Sequence, residues 1–174
     1  MSKILRLSKR LTARPQATLP PSTTVRTFIG PEDVEAWLRL HRAALSGLTA
    51  AGPIWTAVRF EREFLDKPDW SPEHLWFAVR ESPTPSGDVT AVASPLGTIA
   101  LGCDGRPPHD CATIRWLMVA PEARRRGIGA ALLACAELRA WNDGARVVSL
   151  ETHADWTDAV RLYRRAGYDL EHRA

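Results

Sequence analysis

The sequence predicts a single α/β domain, because stretches typical of strands and of helices alternate along most of its 174 residues. The apolar stretch at 114–119 is typical of a buried strand, and a glycine-rich turn connects it to an Ala/Leu-rich helix that begins at Ile128. A second strand and helix follow at 146–152 and 157–166. A chain of this length can bury one substantial core. The predicted order of elements is β-α-α-β-β-β-α-β-α-β.

Each element is predicted from a local signal. Strands are predicted where apolar residues alternate or form short runs, at residues 25–29, 75–80, 97–101, 113–119, 146–152 and 168–170. Helices are predicted where apolar residues recur at a spacing of three and four, at residues 31–46, 56–65, 128–142 and 157–166. Their ends coincide with residues that favour helix termini: Pro31 and Thr56 at beginnings, and Gly47, Gly144 and Gly167 at ends.

Residues 1–24 are predicted to form a basic flexible tail, and residues 25–174 the folded domain. No acid precedes Glu32, and the tail carries five cations: Lys3, Arg6, Lys9, Arg10 and Arg14. It lacks the continuous apolar core of a signal peptide, and residues 18–24 are rich in Thr, Ser and Pro, which is typical of a linker. An arm that contacts phosphate or a partner is the alternative interpretation.

Composition narrows the class of partner. The formal net charge of +3 is too small to indicate nucleic-acid binding, and no apolar run reaches the length of a membrane span. Three cysteines, an odd number, favour a reducing cytoplasm over a disulfide scaffold. Cys103, His109 and Cys111 supply only three ligands, whereas zinc takes four. We therefore expect a cytoplasmic protein that binds neither nucleic acid nor membrane nor metal.

The turn before the long helix has the features of an anion-binding site. Three arginines at 124–126 precede Gly127 and Gly129, and the first N–H groups of a helix lack intrahelical partners at its positive end. Glycines let a phosphate approach the backbone closely. The Rossmann fingerprint does not fit, because its third small position is Leu132, and no Gly-Lys-Ser/Thr follows as in a Walker motif. A phosphate ligand of another class is predicted.

The spacing Arg124-x-x-Gly127-x-Gly129, directly after a strand that reads Leu-x-Val-x-Pro, resembles the acyl-CoA site of the GCN5-related N-acetyltransferases, the GNAT family. Residues 159–168 are similar to that family's signature Ala-x-x-Leu-Tyr-x-x-x-Gly-Phe. Residues 25–38 also resemble the acetyltransferase repeats of mycothiol synthase. The resemblance implies a GNAT fold over residues 25–170, with a mixed central sheet flanked by helices. It also implies an N-acetyltransferase with acetyl-CoA as the acyl-donor co-substrate.

The resemblance assigns the contacts to the cofactor residue by residue. CoA pyrophosphate is expected on the loop from 124 to 130, and pantetheine beside the strand at 117–119. The expected cofactor-binding residues are Leu117, Met118, Val119, Arg124, Arg125, Arg126, Gly127, Ile128, Gly129, Ala130, Trp156 and Tyr163. Trp156 occupies a position where the family often has an asparagine that binds the pantetheine arm.

Catalytic roles follow from the same resemblance. Tyr163 matches the tyrosine that acts as general acid beside the CoA sulfur, and Glu151 matches a glutamate that acts as general base, directly or through a water. His153 is a rival base with an unperturbed pKa closer to neutrality, and Glu73 and His74 are further candidates. A strand N–H near Val119 is expected to meet the oxyanion.

Some questions stay open at this stage. The acceptor amine, a small molecule or a protein N-terminus or lysine, depends on loops at 47–55 and 82–95 that carry no motif, although Trp55 and Trp70 would border its cleft. The family fold normally has one more strand after 168–170, so that strand is missing or supplied by a partner, as in a homodimer. A non-catalytic acyl-CoA sensor or scaffold and a basic nucleic-acid-binding module are the rival functions.

Overall fold

The computed structural model describes residues 3–47, 54–80, 94–102 and 111–171. Within these ranges the chain forms a mixed sheet with helices on both faces. The strands are β1 (Ile4–Arg10), β2 (Thr23–Thr27), β3 (Leu75–Arg80), β4 (Gly97–Gly102), β5 (Cys111–Val119), β6 (Val147–His153) and β7 (Asp169–Leu170). The helices are α1 (Pro31–Leu45), α2 (Ala57–Phe60), which continues as a π-helical turn at Glu61–Leu65, α3 (Ile128–Asn142) and α4 (Thr157–Arg165). The α/β class and the predicted order from residue 23 onward are confirmed.

Two apolar cores lie on opposite faces of the sheet. Strands β3 and β4 are buried along almost their whole length, which explains why their sequences are continuous apolar runs rather than alternating ones. One core packs α3 and Tyr163 of α4 against the sheet, and the other packs α1 and α2 around Trp37 and Phe60. The two faces therefore give the sheet an α3/α4 side and an α1/α2 side.

The strand order across the sheet is β2-β3-β4-β5-β6-β1-β7. Neighbouring strands are antiparallel except β5 and β6, which run parallel. The pairing of β5 with β6 ends where Ile114 lies opposite Leu150, so the second halves of the two strands are not joined to each other. A register shift between β4 and β5 lies nearby, and Trp116 there has a φ of 53°. The sheet therefore has a gap between β5 and β6 beside a bulge.

The prediction of a flexible tail is wrong for Ile4–Arg10. These residues form β1, which pairs antiparallel with the whole of β6 and also with β7. Leu7 is fully buried, and two of the five cations that suggested a solvated tail have partners, since Arg6 pairs with Glu151 and Lys9 with Glu137. The strand beside β6 thus comes from the chain's own N-terminus and not from a partner.

Truncating Leu7 tests whether β1 belongs to the folded sheet. Because this side chain is fully buried in the α3/α4 core, we expect Leu7→Ala to lower the free energy of unfolding by about 2–5 kcal/mol. Ile4→Ala in the same strand is the control, since Ile4 is 55% exposed and should change stability by less than about 0.5 kcal/mol. Urea unfolding of both variants measures the difference, and equal midpoints would contradict the placement of β1.

Other predictions concern residues that lie outside the described ranges. Cys103 and His109 are among them, as are most of the two loops expected to border the acceptor. Among the described residues, no three His, Cys, Asp or Glu side chains come close enough together to hold a metal ion. None of the helices in the described ranges has both the length and the apolar character that crossing a bilayer requires.

Candidate functional site

The beginning of α3 presents open backbone donors. Gly127 precedes the helix in the left-handed region, with φ of 83°, and supplies no side-chain cap. The N–H of Ala131 donates to the carbonyl of Gly127 at 3.0 Å, so the N–H groups of the three preceding residues have no carbonyl within the helix to reach. These donors and the positive end of the helix dipole suit an anion.

Gly127 and Gly129 are required for different reasons. A side chain at Gly127 would meet only the Cγ of Pro20, at 3.7 Å, so its requirement for glycine is conformational. A Cβ on Gly129 would lie 3.1 Å from Leu162 and 3.5 Å from Val119, so Gly129 lets α4 and β5 pack closely on α3. The beginning of α3 therefore packs directly on α4, the helix that carries Tyr163.

The three arginines have separate surroundings. Arg124 donates to the carbonyl of Ala44 at 2.8 Å and to that of Val119 at 3.3 Å, so it links the loop to the end of α1. Arg125 is exposed and its guanidinium lies 3.8 Å from the carboxylate of Asp158 on α4. Arg126 is also exposed. Arg124 is therefore engaged by backbone carbonyls, whereas the side chains of Arg125 and Arg126 are exposed at the beginning of α3.

The gap between β5 and β6 lies beside this loop. Met118 and Val119 pair with Thr98 and Gly97 of β4 on one edge, while β6 does not pair with them on the other. Met118 is buried toward the α1/α2 side, and Leu117 and Val119 pack toward the α3/α4 side. Ile128 is 2% exposed, so only its backbone can reach a ligand. A strand edge of this kind can pair with the amides of an extended ligand.

Tyr163 lies on α4 against the α3/α4 face. Its side chain is buried, and its ring meets the ring of Tyr168 edge-on, with centroids 5.9 Å apart. Burial raises the pKa of the Tyr163 phenol, which therefore stays protonated at neutral pH. A neutral phenol at this position can donate a hydrogen bond or a proton.

Glu151 lies on the opposite face of the sheet from Tyr163. Leu150 and Thr152 are buried and Glu151 between them is exposed, which the two-residue period of a strand requires. Its Oε1 accepts a hydrogen bond of 2.7 Å from Nε of Arg6 in β1. The structure thus separates the two candidate catalytic groups by the sheet, with Glu151 on the side where α1 and α2 lie.

His153 and Trp156 pack on each other at the end of β6. Their ring centroids are 4.6 Å apart, and the Nδ1 of His153 is buried without a hydrogen-bond partner. By strand alternation His153 shares a face with Glu151. Trp156 is the residue before α4 and has no side-chain acceptor with which to hold a ligand amide.

Glu73 and His74 do not join the site. Glu73 pairs with Arg139, and His74 lies 3.2 Å from Asp143, so both contact the C-terminal end of α3. The phosphate loop is at the other end of this 15-residue helix, about 20 Å away at 1.5 Å per residue.

Aromatic residues that the sequence places in loops belong to the core. Trp55 is 4% exposed and lies 4.8 Å from both Trp37 and Trp116, measured between ring centroids. His41 packs within this cluster, and burial, with nearby arginines, lowers its pKa to about 4. Trp70 packs on Phe28 and Phe64. The α1/α2 side of the bulge therefore packs on a buried aromatic cluster, with the guanidinium of Arg59 over the Trp55 ring at 4.5 Å.

Sequence reasoning missed Arg6 and Trp116 as neighbours of the site. Arg6 belongs to an N-terminal stretch with five cations, which is typical of a solvated tail. Its acidic partner, Glu151, is 145 positions away in the sequence. Trp116 fitted an ordinary core position, and only its positive φ marks the bulge. A period-two pattern in Leu5 and Leu7 was the available signal for β1.

Residues 37–168 match the sequence model of the acetyltransferase (GNAT) family. The chain belongs to the GNAT family. The mycothiol acetyltransferase of Cellulomonas flavigena is 33% identical over 150 residues, which cover 86% of this chain and 41% of that protein. The chain spans about half the length of the curated relatives that it matches. The predicted resemblances to the family and to mycothiol synthase are confirmed.

Solved structures agree with this assignment. A GCN5-related N-acetyltransferase from Sphaerobacter thermophilus superposes with a TM-score of 0.73 at 27% identity, covering 97% of this chain and 48% of that one. A chain of the NatC complex bound to Gag peptide and CoA superposes with a TM-score of 0.67 at 23% identity, covering 87% of both chains. The second likeness is one of fold alone.

Proposed function

We propose that this chain transfers the acetyl group of acetyl-CoA to a primary amine, by direct attack of the amine in a ternary complex. The observation that carries the proposal is the junction of α3, β5 and α4. A Cβ on Gly129 would lie 3.1 Å from Leu162 and 3.5 Å from Val119, so α4 and β5 pack closely on the beginning of α3, where the open N–H groups lie. The assignment of the Tyr163 phenol to this junction is part of the proposal. Family membership supports this assignment.

The described residues fit an acyl-CoA donor. The N–H groups at the beginning of α3 suit its pyrophosphate, and Arg125 and Arg126 add exposed positive charge. The β6-facing edge of Met118 and Val119 suits the pantetheine amides. Trp156 stands where the family often has an asparagine that binds the pantetheine arm, and its ring cannot replace the asparagine amide. Backbone groups therefore have to supply more of the contacts to pantetheine.

In this proposal the general base and the hydrogen-bond donor to the leaving group lie on opposite faces of the sheet. The amine approaches from the side of Glu151, which as a carboxylate can take its proton directly or through a water. An N–H near Val119 meets the developing oxyanion. Tyr163 donates toward the leaving sulfur from the other side. Unperturbed, this proton transfer is uphill by roughly 2 kcal/mol, and burial of Tyr163 increases that cost, so hydrogen bonding to the thiolate is the main contribution.

A non-catalytic acyl-CoA sensor is the second candidate. Two observations favour it: Trp156 stands at the pantetheine position, and Glu151 is engaged by Arg6 at 2.7 Å. The sensor would bind acetyl-CoA without releasing its thiol. An assay of CoA thiol release separates the two functions. Each amine of a panel is incubated with the protein, acetyl-CoA and a thiol-detecting reagent. We expect amine-dependent thiol release, and its absence with every amine despite tight binding would establish the sensor.

Changing Glu151 tests the base. We expect Glu151→Gln to lower turnover most near neutral pH and less at high pH, because an amine with a pKa of about 10.4 then loses its proton without help. Glu35→Gln, an exposed change on α1, is the control. The measurement is a pH–rate profile with the best amine of the panel. A profile parallel to that of the unchanged protein would exclude Glu151 and direct the same test to His153.

A further inference from the structure

The segment between β1 and β2, residues 11–22, runs along α3; we call it the strap. At one end the N–H of Leu11 donates to the carbonyl of Arg146, just beyond the C-terminal end of α3, at 2.8 Å. At the other end the Cγ of Pro20 lies 3.7 Å from where a Cβ on Gly127 would be. A cavity of about 360 Å³ lies between the strap and the helices. Its volume is in the range of small-molecule sites, about 300–1,000 Å³.

This cavity lies over the part of the sheet where β5 and β6 are still joined. Lys9 and Arg10 in its wall pair with the first two residues of β6, which also pair with β5. The gap between β5 and β6 begins only beyond Leu150. Near α4 the cavity contacts Ala166, whereas Leu162, one turn earlier, packs on the beginning of α3. The cavity is therefore offset from the gap along both β6 and α4.

An acid with an open oxygen forms part of the cavity wall. Glu137 is 4% exposed, and it lies within the Ala- and Leu-rich helix α3. Its Oε2 accepts a hydrogen bond of 2.7 Å from Nζ of Lys9, and its Oε1 is buried without a hydrogen-bond partner among the described residues. The Tyr168 hydroxyl faces this carboxylate, but it is placed too loosely to complete a hydrogen bond. Because a buried charged group with an unmade hydrogen bond is costly, Oε1 is suited to accept one from an occupant of the cavity.

Arg10 gives the wall a cation that is available to a ligand. It is exposed and forms no ion pair with any described residue. The wall holds two cations and one acid, and Lys9 already neutralises Glu137, so the charge of Arg10 is left to meet an anion. The Thr12 hydroxyl and the Gln16 amide add neutral donors and acceptors among apolar side chains.

We propose that this cavity binds a small hydroxylated anion, at a site separate from that of the acetyl donor. A hydroxyl group of the ligand donates to Oε1 of Glu137, and its carboxylate or phosphate pairs with Arg10. An ammonium group at Glu137 would be repelled by Lys9, and an anion without a hydroxyl would leave Oε1 unpartnered, so neither a simple amine nor a simple anion fits. Hydroxy acids and sugar phosphates both carry the required groups. The proposal goes beyond acetyl transfer and does not depend on it.

Calorimetry with four probes tests the proposal. Glycerate and glucose 6-phosphate carry both hydroxyl and anionic groups, whereas glucose and methyl phosphate carry one kind each. We expect glycerate or glucose 6-phosphate to bind at least about tenfold more tightly than glucose and methyl phosphate, and the better of the two identifies the anionic group. The proposal is overturned if neither shows saturable binding up to about 10 mM, or if methyl phosphate binds equally well.

Variants of the strap and β1 locate the binding. Arg10→Gln removes the partner of the anion at an exposed position and should weaken binding of the better probe at least about tenfold. Arg14→Gln is the matched control, because Arg14 is exposed on the strap outside the cavity wall, and its affinity should stay within about twofold. Ala13→Trp closes the cavity from an exposed position on the strap, so it should abolish binding without changing thermal unfolding. Equal affinities in Arg10→Gln and Arg14→Gln, or undiminished binding in Ala13→Trp, would place the probe elsewhere and overturn the proposal.

A titration with acetyl-CoA present tests whether the two sites are separate. Ala130 lines the cavity and belongs to the first turn of α3, so the two ligands come close to each other. Because the cavity is offset from the gap, the probe should keep its affinity within about threefold at saturating acetyl-CoA. Mutual exclusion of the two ligands would make the cavity part of the donor site and overturn the proposal. If acetyl-CoA does not bind at all, the donor assignment fails, whereas the probes and the variants still decide this proposal.

Discussion

Tyr163→Phe is expected to slow acetyl transfer by about 10²–10⁴-fold, the range that a positioned acid–base group contributes. The change removes one hydroxyl and keeps the ring, which packs edge-on against Tyr168 and within the α3/α4 core. Acetyl-CoA affinity should therefore fall far less than the rate. Single-turnover transfer to the best amine, measured at saturating donor, isolates the chemical step from binding.

Tyr168→Phe is the matched control for this experiment. Tyr168 is fully buried next to Tyr163, and its hydroxyl faces Glu137 of α3, so removing that hydroxyl changes the same chemical group outside the proposed reaction path. Its transfer rate should stay within a few-fold of the unchanged protein. If Tyr163→Phe behaves in the same way as Tyr168→Phe, Tyr163 is a core residue and the thiolate leaves without it.

The raised pKa of Tyr163 limits how the phenol acts. Burial favours the neutral form, so the residue is ready as a donor across the whole neutral range. The same burial makes complete proton transfer to a thiolate more costly. The rate should therefore show no fall attributable to ionisation of Tyr163 up to about pH 10, where an unperturbed phenol is already half ionised.

Local signals explain what the sequence predicted well. Glycine spacing, the residues that end helices and the apolar periods are all read within a few positions, and they located α3, β5, β6 and α4 within about two residues. The phosphate loop was also predicted from local signals, because the residues next to Gly127 determine the backbone conformation that requires a glycine there. The signature around Tyr163 is equally local.

The features that the sequence did not predict depend on contacts between residues that are distant in the sequence. β1 is a strand because β6 pairs with it and because Glu151 and Glu137 neutralise two of its three cations, Arg6 and Lys9, and these partners lie more than 125 positions away. Arg124 reaches the end of α1 at Ala44, 80 positions earlier, which its place in a run of arginines does not reveal. A short pattern cannot tell a charged strand from a charged tail when the compensating charges are elsewhere in the chain.

Gly127→Val is expected to lower acetyl-CoA affinity by at least about 100-fold, corresponding to about 2.7 kcal/mol of binding free energy. Valine disfavours the φ of 83° that Gly127 adopts before α3, and the left-handed region costs a side chain about 1–2 kcal/mol before branching is counted. Relieving that strain rotates the peptide units that aim the N–H groups at the pyrophosphate. A branched side chain also projects into the space in front of them.

Gly144→Val distinguishes loss of the site from general strain. Gly144 has a similar φ of 94°, lies just past the other end of α3, and has nothing within 4 Å of where its Cβ would be. Both variants should therefore lose comparable stability in thermal unfolding, while only Gly127→Val loses acetyl-CoA in calorimetry. Equal affinities in the two folded variants would show that the N-terminus of α3 does not hold the pyrophosphate.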